Sequence, residues 1–401
     1  MNKKVPLGLT FSLIFISVAL AVTVTMAVSM LTYNNLIKDV SDRSGMYSGL
    51  SEIDDAIREN YYGEINENLL NSMISKGYID GLGDRYSAYM NAEEYVQYKQ
   101  LEKGTKGGIG IIPVYDAKSG GIYISEIADS SPAKIQGMNK GDIITEIDGT
   151  KVTALNAAGL IQNLEGGKLT EVTVTFVHNK EVKTVKVAKG YTAQTVYYSI
   201  MNENVGYIKI VSFYKNTAEE LKKAINFMSE KSVSSVIFDV RGNSDGLVPY
   251  ATACIDLIVP VATEGTGALA TAVDKNGNTI ETFTSDSESI SLSLCVLVNS
   301  DTSGASELFA CDLRDFGKAT LIGTTTAGNG TMQKIFELSD GGAVKLTVAK
   351  ILPYKSESYD GKGLKCDYEV ALSAEQNERL PMLSLEEDAQ YQKAFSIITN
   401  S

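Results

Sequence analysis

The chain has 401 residues, 44% of them hydrophobic, which is enough for two or three packed domains and excludes a disordered chain. Its formal net charge is -13, and no block of lysine and arginine follows the amino terminus. This balance argues against nucleic-acid binding, which needs a basic face to neutralise phosphates, and makes acidic substrates poor candidates.

An uncharged segment lies at the amino terminus. Residues 5–32 carry no charge, and Lys3 and Lys4 precede them. A membrane-spanning helix needs about 20 such residues. We predict a transmembrane anchor within residues 1–33, with a cytoplasmic amino terminus, and therefore a single-pass protein of the plasma membrane whose main domains are extracytoplasmic. The alternative is a cleaved signal peptide, whose apolar core would normally have only about 7 to 15 residues.

A helical region follows, which we assign to residues 34–98. Apolar residues at helical spacing predict helix from Ser51 to Gly83; they are Ile53, Ile57, Tyr61, Leu69, Leu70, Met73 and Ile74. The region contains the turn Leu82-Gly-Asp-Arg-Tyr-Ser-Ala-Tyr-Met90.

Residues 107–188 alternate short β-type runs with Gly and Asp turns, and one helical stretch follows Leu155. This order, with Ser131-Pro-Ala-Lys-Ile-Gln-Gly-Met-Asn-Lys-Gly-Asp-Ile-Ile-Thr-Glu-Ile-Asp-Gly149 in the middle, resembles a PDZ domain, which we place at residues 99–190. PDZ domains bind protein carboxyl termini by adding a strand to a sheet edge.

The peptide-binding loop of such a domain captures the terminal carboxylate with backbone N–H groups. Glycines favour this arrangement because they let neighbouring amides turn toward one point. Here the loop would consist of Gly107, Gly108, Ile109, Gly110 and Ile111. The alternative for the groove is a purely internal latch.

From Val205 the pattern changes to alternating strands and helices, which is typical of an α/β core. We predict the following elements: a strand at Gly206–Phe213, an amphipathic helix containing Ala218 to Met228, strands at Val236–Val240 and Leu294–Val298, a helix at Ala305–Arg314 and a strand at Ala319–Ile322. The core is assigned to residues 198–370, and residues 371–401 form a tail that closes with a helix.

The most informative segment is Asn299 to Gln333, NSDTSGASELFACDLRDFGKATLIGTTTAGNGTMQ. It resembles the active-site segment of the carboxyl-terminal processing proteases, a serine peptidase family with the pattern S-A-S-E, helix, D-Y/F-G-R/K-A, apolar strand and G-x-x-T-x-G-K-G-x-x-Q. The match has no gap, and its anchors are Ala305-Ser306-Glu307, Asp315-Phe316-Gly317-Lys318-Ala319, Gly323, Gly328, Gly330 and Gln333.

Two reactive residues of that pattern are missing. The resemblance places the family's serine nucleophile at Gly304 and its lysine base at Asn329. A hydroxyl must be deprotonated as it attacks, and lysine can accept that proton only when burial lowers its pKa. Glycine has no side chain, and an amide cannot accept the proton at a useful pH. The chain is thus expected to be a catalytically degenerate member, in which the retained Gln333 has a structural hydrogen bond.

A third departure lies in Asp239-Val-Arg-Gly-Asn-Ser-Asp-Gly-Leu247, which resembles the family's D-L-R-x-N-P-G-G-L turn. The backbone of that turn helps to form the oxyanion hole. The oxyanion-loop positions here are Asp245 and Gly246, and a carboxylate beside a developing oxyanion would oppose catalysis.

Further matches extend the resemblance from about Glu52 to the carboxyl terminus. The turn at residues 82–90 is similar to the family's L-G-D-P-Y-S-x-Y, and Gly361-Lys-Gly-Leu-Lys-Cys-Asp-Tyr-Glu-Val370 to its G-K-G-I-x-P-D-x-x-V. The fold expected is multidomain α+β: a transmembrane helix, a helical segment, a PDZ domain and a protease-like α/β core. No motif for a metal or an organic cofactor is present.

The leading hypothesis is a membrane-anchored pseudoprotease that binds protein carboxyl termini or partner proteins. A second hypothesis is an active serine endopeptidase with a relocated nucleophile, Ser303 or Ser306, for which Lys334 is a poor base because it should face away from Gln333. A third is regulation of an active homologue by a mixed dimer. The resemblance also allows a homodimer through the closing helix.

Overall fold

The computed structural model describes residues 7–167, 170–202, 204–263, 268–286 and 289–400, and only the backbone of residues 7–14, 31–44, 46 and 202. Lys3 and Lys4, which mark the predicted cytoplasmic end, lie outside the described residues. Contacts divide the chain into two compact units, Met1–Asn71 and Ser72–Ser401.

The helices are α1 Leu7–Asn60, α2 Glu67–Asp80, α3 Ala92–Glu102, α4 Pro132–Ile135, α5 Ala157–Asn163, α6 Thr217–Glu230, α7 Val248–Asp256, α8 Ala305–Asp315, α9 Ala374–Glu378 and α10 Ala389–Thr399, with a short 3-10 turn at Leu380–Met382. The strands before the core are β1 Ala88–Met90, β2 Gly107–Gly108, β3 Ile111–Asp116, β4 Gly121–Ile127, β5 Ile143–Ile147, β6 Thr150–Lys151, β7 Glu171–His178, β8 Glu181–Ala188 and β9 Tyr191–Thr192. Those of the core are β10 Val196–Asn202, β11 Val205–Ile210, β12 Ser235–Asp239, β13 Ala270–Val273, β14 Thr279–Phe283, β15 Ser293–Val298, β16 Ala319–Gly323, β17 Thr331–Glu337, β18 Ala343–Pro353 and β19 Tyr368–Glu369.

The predicted helix from Ser51 to Gly83 is interrupted. α1 ends at Asn60 and α2 begins at Glu67, because Gly63 disfavours helix in the gap and the Asn66 side chain caps the second helix by accepting the Leu69 N–H at 3.1 Å. Within the described part of the chain, none of the helices has the length and apolarity to cross a membrane. The anchor therefore stays a prediction.

The predicted PDZ region forms a sheet in the order β3-β4-β5-β7-β8, with β6 paired to β5. β7 alternates buried and less buried residues, and the buried side chains of β4, β5 and β7 pack with α5 in one cluster; fully buried side chains of these three strands include Ile122, Ile124, Ile144, Ile147, Val174 and Phe176. β3 is an edge strand, so one side of its backbone is left without a strand partner among the described residues.

The protease-like core has a six-stranded sheet in the order β10-β11-β12-β15-β16-β19, parallel except for β10. Its central strands β12 and β15 are buried on both faces. Val236, Phe238 and Val296 point toward α6, α7 and α8, whereas Ile237 and Cys295 pack against α10. The parallel arrangement brings the carboxyl ends of β12 and β15 side by side, and the loops that follow them carry the candidate active site.

A second sheet is built around β18, which pairs with β1, β13 and β17. β17 begins directly after Asn329 and Gly330, so this sheet holds the base position. The strand predicted at Gly206–Phe213 ends earlier, at Ile210, because Phe213 bridges to Gly246 instead of continuing the sheet. Cys254, Cys295 and Cys311 are buried, Cys366 is half-buried, and the four cysteines are free.

Candidate active site

The nucleophile position lies at a sharp turn between a strand and a helix. β15 ends at Val298, and α8 begins directly after Gly304. Gly304 has φ 63° and ψ -115°, a conformation that L side chains adopt only with strain. A serine there would carry about 1 to 3 kcal/mol of backbone strain. Glycine is therefore the residue that holds this turn without strain.

The base position faces this turn. A β-carbon built on Gly304 would lie 3.1 Å from the Nδ2 atom of Asn329, which is 7% exposed. The Asn329 Oδ1 atom accepts hydrogen bonds from the Thr331 hydroxyl at 2.6 Å and from the Thr331 N–H at 3.3 Å. These donors orient the amide so that its NH2 group is turned toward Gly304. The structure brings positions 304 and 329 together, with no hydroxyl on one and no basic group on the other.

Glu307 joins the two positions from beneath. Its side chain is fully buried, and its Oε2 accepts the N–H of Gly304 at 3.0 Å and the N–H of Asn329 at 2.7 Å. Its Oε1 accepts the Gly328 N–H at 2.7 Å and the Thr326 hydroxyl. Four hydrogen bonds from four residues make Glu307 the anchor of the site, which gives this matched residue a structural role without any catalytic step.

Gln333 continues a hydrogen-bonded chain from the base position. Its Nε2 donates to the hydroxyls of Thr331 at 2.8 Å and Thr347 at 3.3 Å. The Thr347 N–H donates to the Ser87 hydroxyl at 3.1 Å, and that hydroxyl donates to Asp84 at 2.5 Å. The chain of bonds therefore runs from Asn329 to the turn at residues 82–90, and its one ionisable group, Asp84, lies at the end away from Asn329.

The oxyanion loop is closed by its own side chains. The Asp245 N–H donates to Asn243 Oδ1 at 3.3 Å, and the Gly246 N–H donates to Asp245 Oδ1 at 3.0 Å. The other carboxylate oxygen of Asp245 accepts a hydrogen bond from the Tyr214 hydroxyl. Both backbone donors that this loop could offer to an oxyanion are engaged, and a negative charge stands beside them.

Asp239 and Arg241 hold the start of this loop. Both side chains are 4% exposed; Arg241 Nη2 lies 2.6 Å from Asp239 Oδ2 and 2.7 Å from Asp388 Oδ2. Burial alone would raise the pKa of Asp239, but the Arg241 guanidinium lowers it to about 2. Arg241 Nη1 also donates to Gln390 at 2.9 Å, so the loop is tied to the closing helix α10.

The two alternative nucleophiles lie on the same turn. The Ser306 side chain is fully buried, and its hydroxyl donates to the backbone carbonyl of Asn243 at 2.8 Å. Ser303 is 8% exposed and donates its backbone N–H to the same carbonyl at 3.0 Å. Lys334 is exposed on β17, where its ammonium lies 6.0 Å from the centre of the Phe336 ring. Ser306 is thus engaged in packing the turn against the oxyanion loop.

The predicted peptide-binding loop is partly covered by the chain itself. β2, formed by Gly107 and Gly108, pairs with β9 at Tyr191 and Thr192, while Ile109 to Ile111 lead into β3. A pocket of about 140 Å³ lies there; its lining includes residues 106–113, Ile161, Leu164, Glu165 and Tyr197. Glu165 pairs with Lys106 at 2.6 Å within the same loop region.

One group of side chains could hold a metal ion by distance alone. The ligand atoms of Cys311, Asp312 and Asp315 lie within 4.8 Å of one another. Asp315 accepts two hydrogen bonds from Ser356, at 2.6 Å from its N–H and 2.6 Å from its hydroxyl, and burial raises the pKa of Asp312 well above its ordinary value. Burial thus favours the neutral form of Asp312, and Asp315 is already bonded to Ser356. We assign both side chains to packing the loop around Ser356.

A group that the sequence pattern does not identify lies beside the oxyanion loop. It consists of three tyrosines and two carboxylates, which we call the Tyr98 cluster: Tyr98, Glu102, Tyr214, Asp245 and Tyr250. The only sequence signal is the density of tyrosine and acid on α3, and that density is shared with any amphipathic surface helix.

Comparisons with known proteins agree with this architecture. The family model "Peptidase family S41" matches residues 204–370, and the model "PDZ domain" matches residues 100–188. The carboxy-terminal processing protease CtpA of Bacillus subtilis is 30% identical over 360 residues, which cover 88% of this chain and 76% of that protein.

Two further similarities were found. A CtpA-like serine protease of Staphylococcus haemolyticus is 28% identical over 319 residues, which cover 79% of this chain but only 63% of that relative. A solved structure of an S41-type protein from Bacteroides fragilis is 18% identical with a TM-score of 0.57, covering 85% of this chain and 91% of that one. At this identity the last similarity concerns the fold alone.

Proposed function

Because the chain belongs to peptidase family S41, with the carboxyl-terminal processing proteases, we propose that it is a pseudoprotease that binds protein carboxyl termini or partner proteins without cleaving them. The observation that carries this proposal is the pairing of Gly304 with Asn329. A β-carbon built on Gly304 would lie 3.1 Å from the Asn329 Nδ2 atom, so the two positions face each other, and neither offers the chemistry of a nucleophile or a base.

The oxyanion loop supports the same proposal independently. Removing one oxyanion donor typically costs about 100-fold to 1000-fold in kcat. Here the N–H groups of Asp245 and Gly246 are both bonded within the loop, and the Asp245 carboxylate adds repulsion. A peptide carbonyl placed at Gly304 would gain little stabilisation of the charge that hydrolysis develops.

Peptide binding is supported by the PDZ domain. β3 is an edge strand next to α5, and the glycine-containing loop at residues 107–111 precedes it. A peptide could add a strand there and place its carboxylate at the backbone amides of the loop. The pairing of β2 with β9 favours a partly latched groove, in which a bound peptide shares the loop with the chain's own segment at residues 191–192.

We further propose that residues 1–33 anchor the protein in the plasma membrane, with the amino terminus cytoplasmic and the main domains extracytoplasmic. The support is the uncharged run at residues 5–32 after Lys3 and Lys4. Protease added to intact cells should degrade the PDZ domain and core; full protection of both would contradict this topology.

The alternative of a relocated nucleophile has less support. The Ser306 hydroxyl is buried and bonded to a carbonyl, and no side chain that could act as a base is bonded to it among the described residues. Regulation of an active homologue by a mixed dimer stays a prediction, and co-purification with such a homologue would support it. A homodimer through α10 likewise stays a prediction.

The decisive experiment compares cleavage of an unstructured reporter with an apolar carboxyl terminus by three forms of the full chain. They are the natural protein, the double variant Gly304→Ser with Asn329→Lys, and the triple variant that adds Asp245→Gly. We expect no cleavage by the natural protein and measurable cleavage by the triple variant, because a nucleophile, a base and a free Gly246 N–H are then all present.

Cleavage by the natural protein would contradict the proposal if Ser303→Ala or Ser306→Ala abolished it, since the nucleophile would then have moved.

If Ser306 only packs the turn, Ser306→Ala should change only the free energy of unfolding. The loss should be about 1 kcal/mol, the value of one buried hydrogen bond, and chemical denaturation measures it.

A further inference from the structure

The Tyr98 cluster brings together groups from four separate parts of the fold. Tyr98 and Glu102 lie one turn apart on α3, Tyr214 follows β11, Asp245 belongs to the oxyanion loop and Tyr250 lies on α7. The Tyr250 hydroxyl donates to Glu102 at 3.1 Å, and the Tyr214 hydroxyl donates to Asp245. Through Asn243, whose carbonyl accepts from residues 303 and 306, the cluster adjoins the turn of the former nucleophile.

One atom of the cluster is incomplete. The Tyr98 hydroxyl is buried and has no hydrogen-bond partner among the described residues. Burial, followed by the charges of Glu102 and Asp245, raises the pKa of Tyr98, so its oxygen stays neutral. Buried polar atoms are normally paired, so the Tyr98 hydroxyl is available to a hydrogen-bonding group of a ligand.

The cluster also lacks a positive charge. In the described ranges, neither Glu102 nor Asp245 forms an ion pair with lysine or arginine, whereas other acids of the same unit, such as Glu126 and Glu165, do so. Each carboxylate is held by a tyrosine hydroxyl instead. The Tyr98 cluster therefore combines two carboxylates that no cation compensates among the described residues with one phenol oxygen that still needs a partner.

We propose that the Tyr98 cluster binds a primary ammonium group of the bound peptide, a lysine side chain or an amino terminus. An ammonium group has three N–H donors, and the cluster offers three acceptors: Glu102, Asp245 and the Tyr98 oxygen. Tyrosine rings add attraction for a cation. This inference rests on the proposed peptide-binding function and specifies the peptides that the degenerate site selects.

The test uses the full chain and fluorescein-labelled peptides with an apolar carboxyl terminus and an acetylated amino terminus. A single lysine is moved through the positions near the carboxyl terminus, and each peptide is matched by one with norleucine, which keeps the methylene chain and lacks the ammonium group. A lysine-free peptide with an unblocked amino terminus forms a second arm. Fluorescence anisotropy measures the Kd.

At one position, the lysine peptide should bind at least about tenfold more tightly than its norleucine partner, as expected for charge-assisted hydrogen bonds. Added salt should reduce this preference. If only the unblocked peptide gains affinity, the ammonium group is the peptide's amino terminus. The inference is wrong if lysine and norleucine peptides bind equally at every position and the unblocked peptide gains nothing.

Variants locate the effect. Asp245→Asn keeps the shape and removes the charge, and it should reduce the lysine preference to about twofold or less; Tyr98→Phe should reduce it partly. Glu181→Gln, at a 74% exposed side chain of β8, removes the same charge elsewhere and should leave the preference unchanged. Equal thermal midpoints of the variants show that each one folds.

Failures of the two proposals can be told apart. Binding of norleucine peptides without a lysine preference refutes the ammonium pocket and leaves the pseudoprotease proposal in place. Absence of binding for every peptide, including the one with an unblocked amino terminus, refutes the ammonium site and the binding of carboxyl termini on which it rests, whereas the reporter cleavage experiment tests the loss of protease activity separately. A lysine preference that survives Asp245→Asn and Tyr98→Phe refutes the assignment to this cluster.

Discussion

The turn at Gly304 and the oxyanion loop at Asp245 are in contact, and they differ from a catalytic site in opposite ways. The turn has lost side chains: its sharp backbone and its anchor Glu307 are in place, but positions 304 and 329 carry nothing reactive. The loop has gained one, the Asp245 carboxylate, which occupies the loop's own N–H donor at Gly246. Adding side chains can therefore repair the first region, whereas the second must lose one.

The largest effect should come from breaking the anchor of the turn. Glu307→Gln places an NH2 group against donors that now meet a carboxylate oxygen, and it removes the charge that four hydrogen bonds share. We expect a loss of about 4 kcal/mol in the free energy of unfolding, because buried charged groups with several partners are costly to disrupt. Urea denaturation measures it.

The control for that variant is Glu281→Gln on β14, where the side chain is exposed and the change should stay within about 0.5 kcal/mol. Equal stability of the two variants would show that Glu307 does not hold the turn.

The second prediction concerns the loop. In the background of Gly304→Ser with Asn329→Lys, adding Asp245→Gly should raise kcat by about 100-fold, the effect of one oxyanion donor. The reason is that the Gly246 N–H then becomes free. If the double and triple variants cleave the reporter at the same rate, the carboxylate of Asp245 does not block the loop.

Acid should weaken the ion pair between Asp239 and Arg241 at the start of the oxyanion loop. Because Arg241 lowers the pKa of Asp239 to about 2, this pair contributes about 2 kcal/mol of stability above the ordinary aspartate pKa near 3.8. That contribution should be lost as the pH falls from about 4 to 2, when the folded protein must take up the proton. Urea denaturation at a series of pH values should show this slope, and Asp239→Asn, although less stable, should lack it.

The smallest effect tests the strain of the turn. Gly304→Ala should cost about 1.5 kcal/mol, since its φ of 63° is unfavourable for alanine and its β-carbon would meet Asn329 at 3.1 Å. Gly361→Ala is the matched control, with a φ of 70° and open space around the β-carbon. A smaller loss for Gly304→Ala than for Gly361→Ala would contradict the crowded turn.

Local pattern was sufficient for much of the fold. The resemblance of residues 131–149 and their flanking β-type runs predicted the PDZ domain, and the strand-helix alternation after Val205 predicted an α/β core; the family models agree with both. The continuous helix predicted from Ser51 to Gly83 was wrong between Tyr61 and Asn66, where the chain is not helical. Within these six residues, Gly63 and the Asn66 cap outweigh the apolar spacing on either side.

The sequence by itself determined the family and the identity of the residues at positions 304 and 329, because these depend on spacing along one ungapped motif. Only the tertiary structure decided what surrounds them: the amide of Asn329 turned toward Gly304, the Asp245 carboxylate on its neighbour's N–H, and the Tyr98 hydroxyl without a partner among the described residues. Such contacts join residues that are far apart in the chain, and no periodicity or spacing within a segment encodes how side chains from different elements meet.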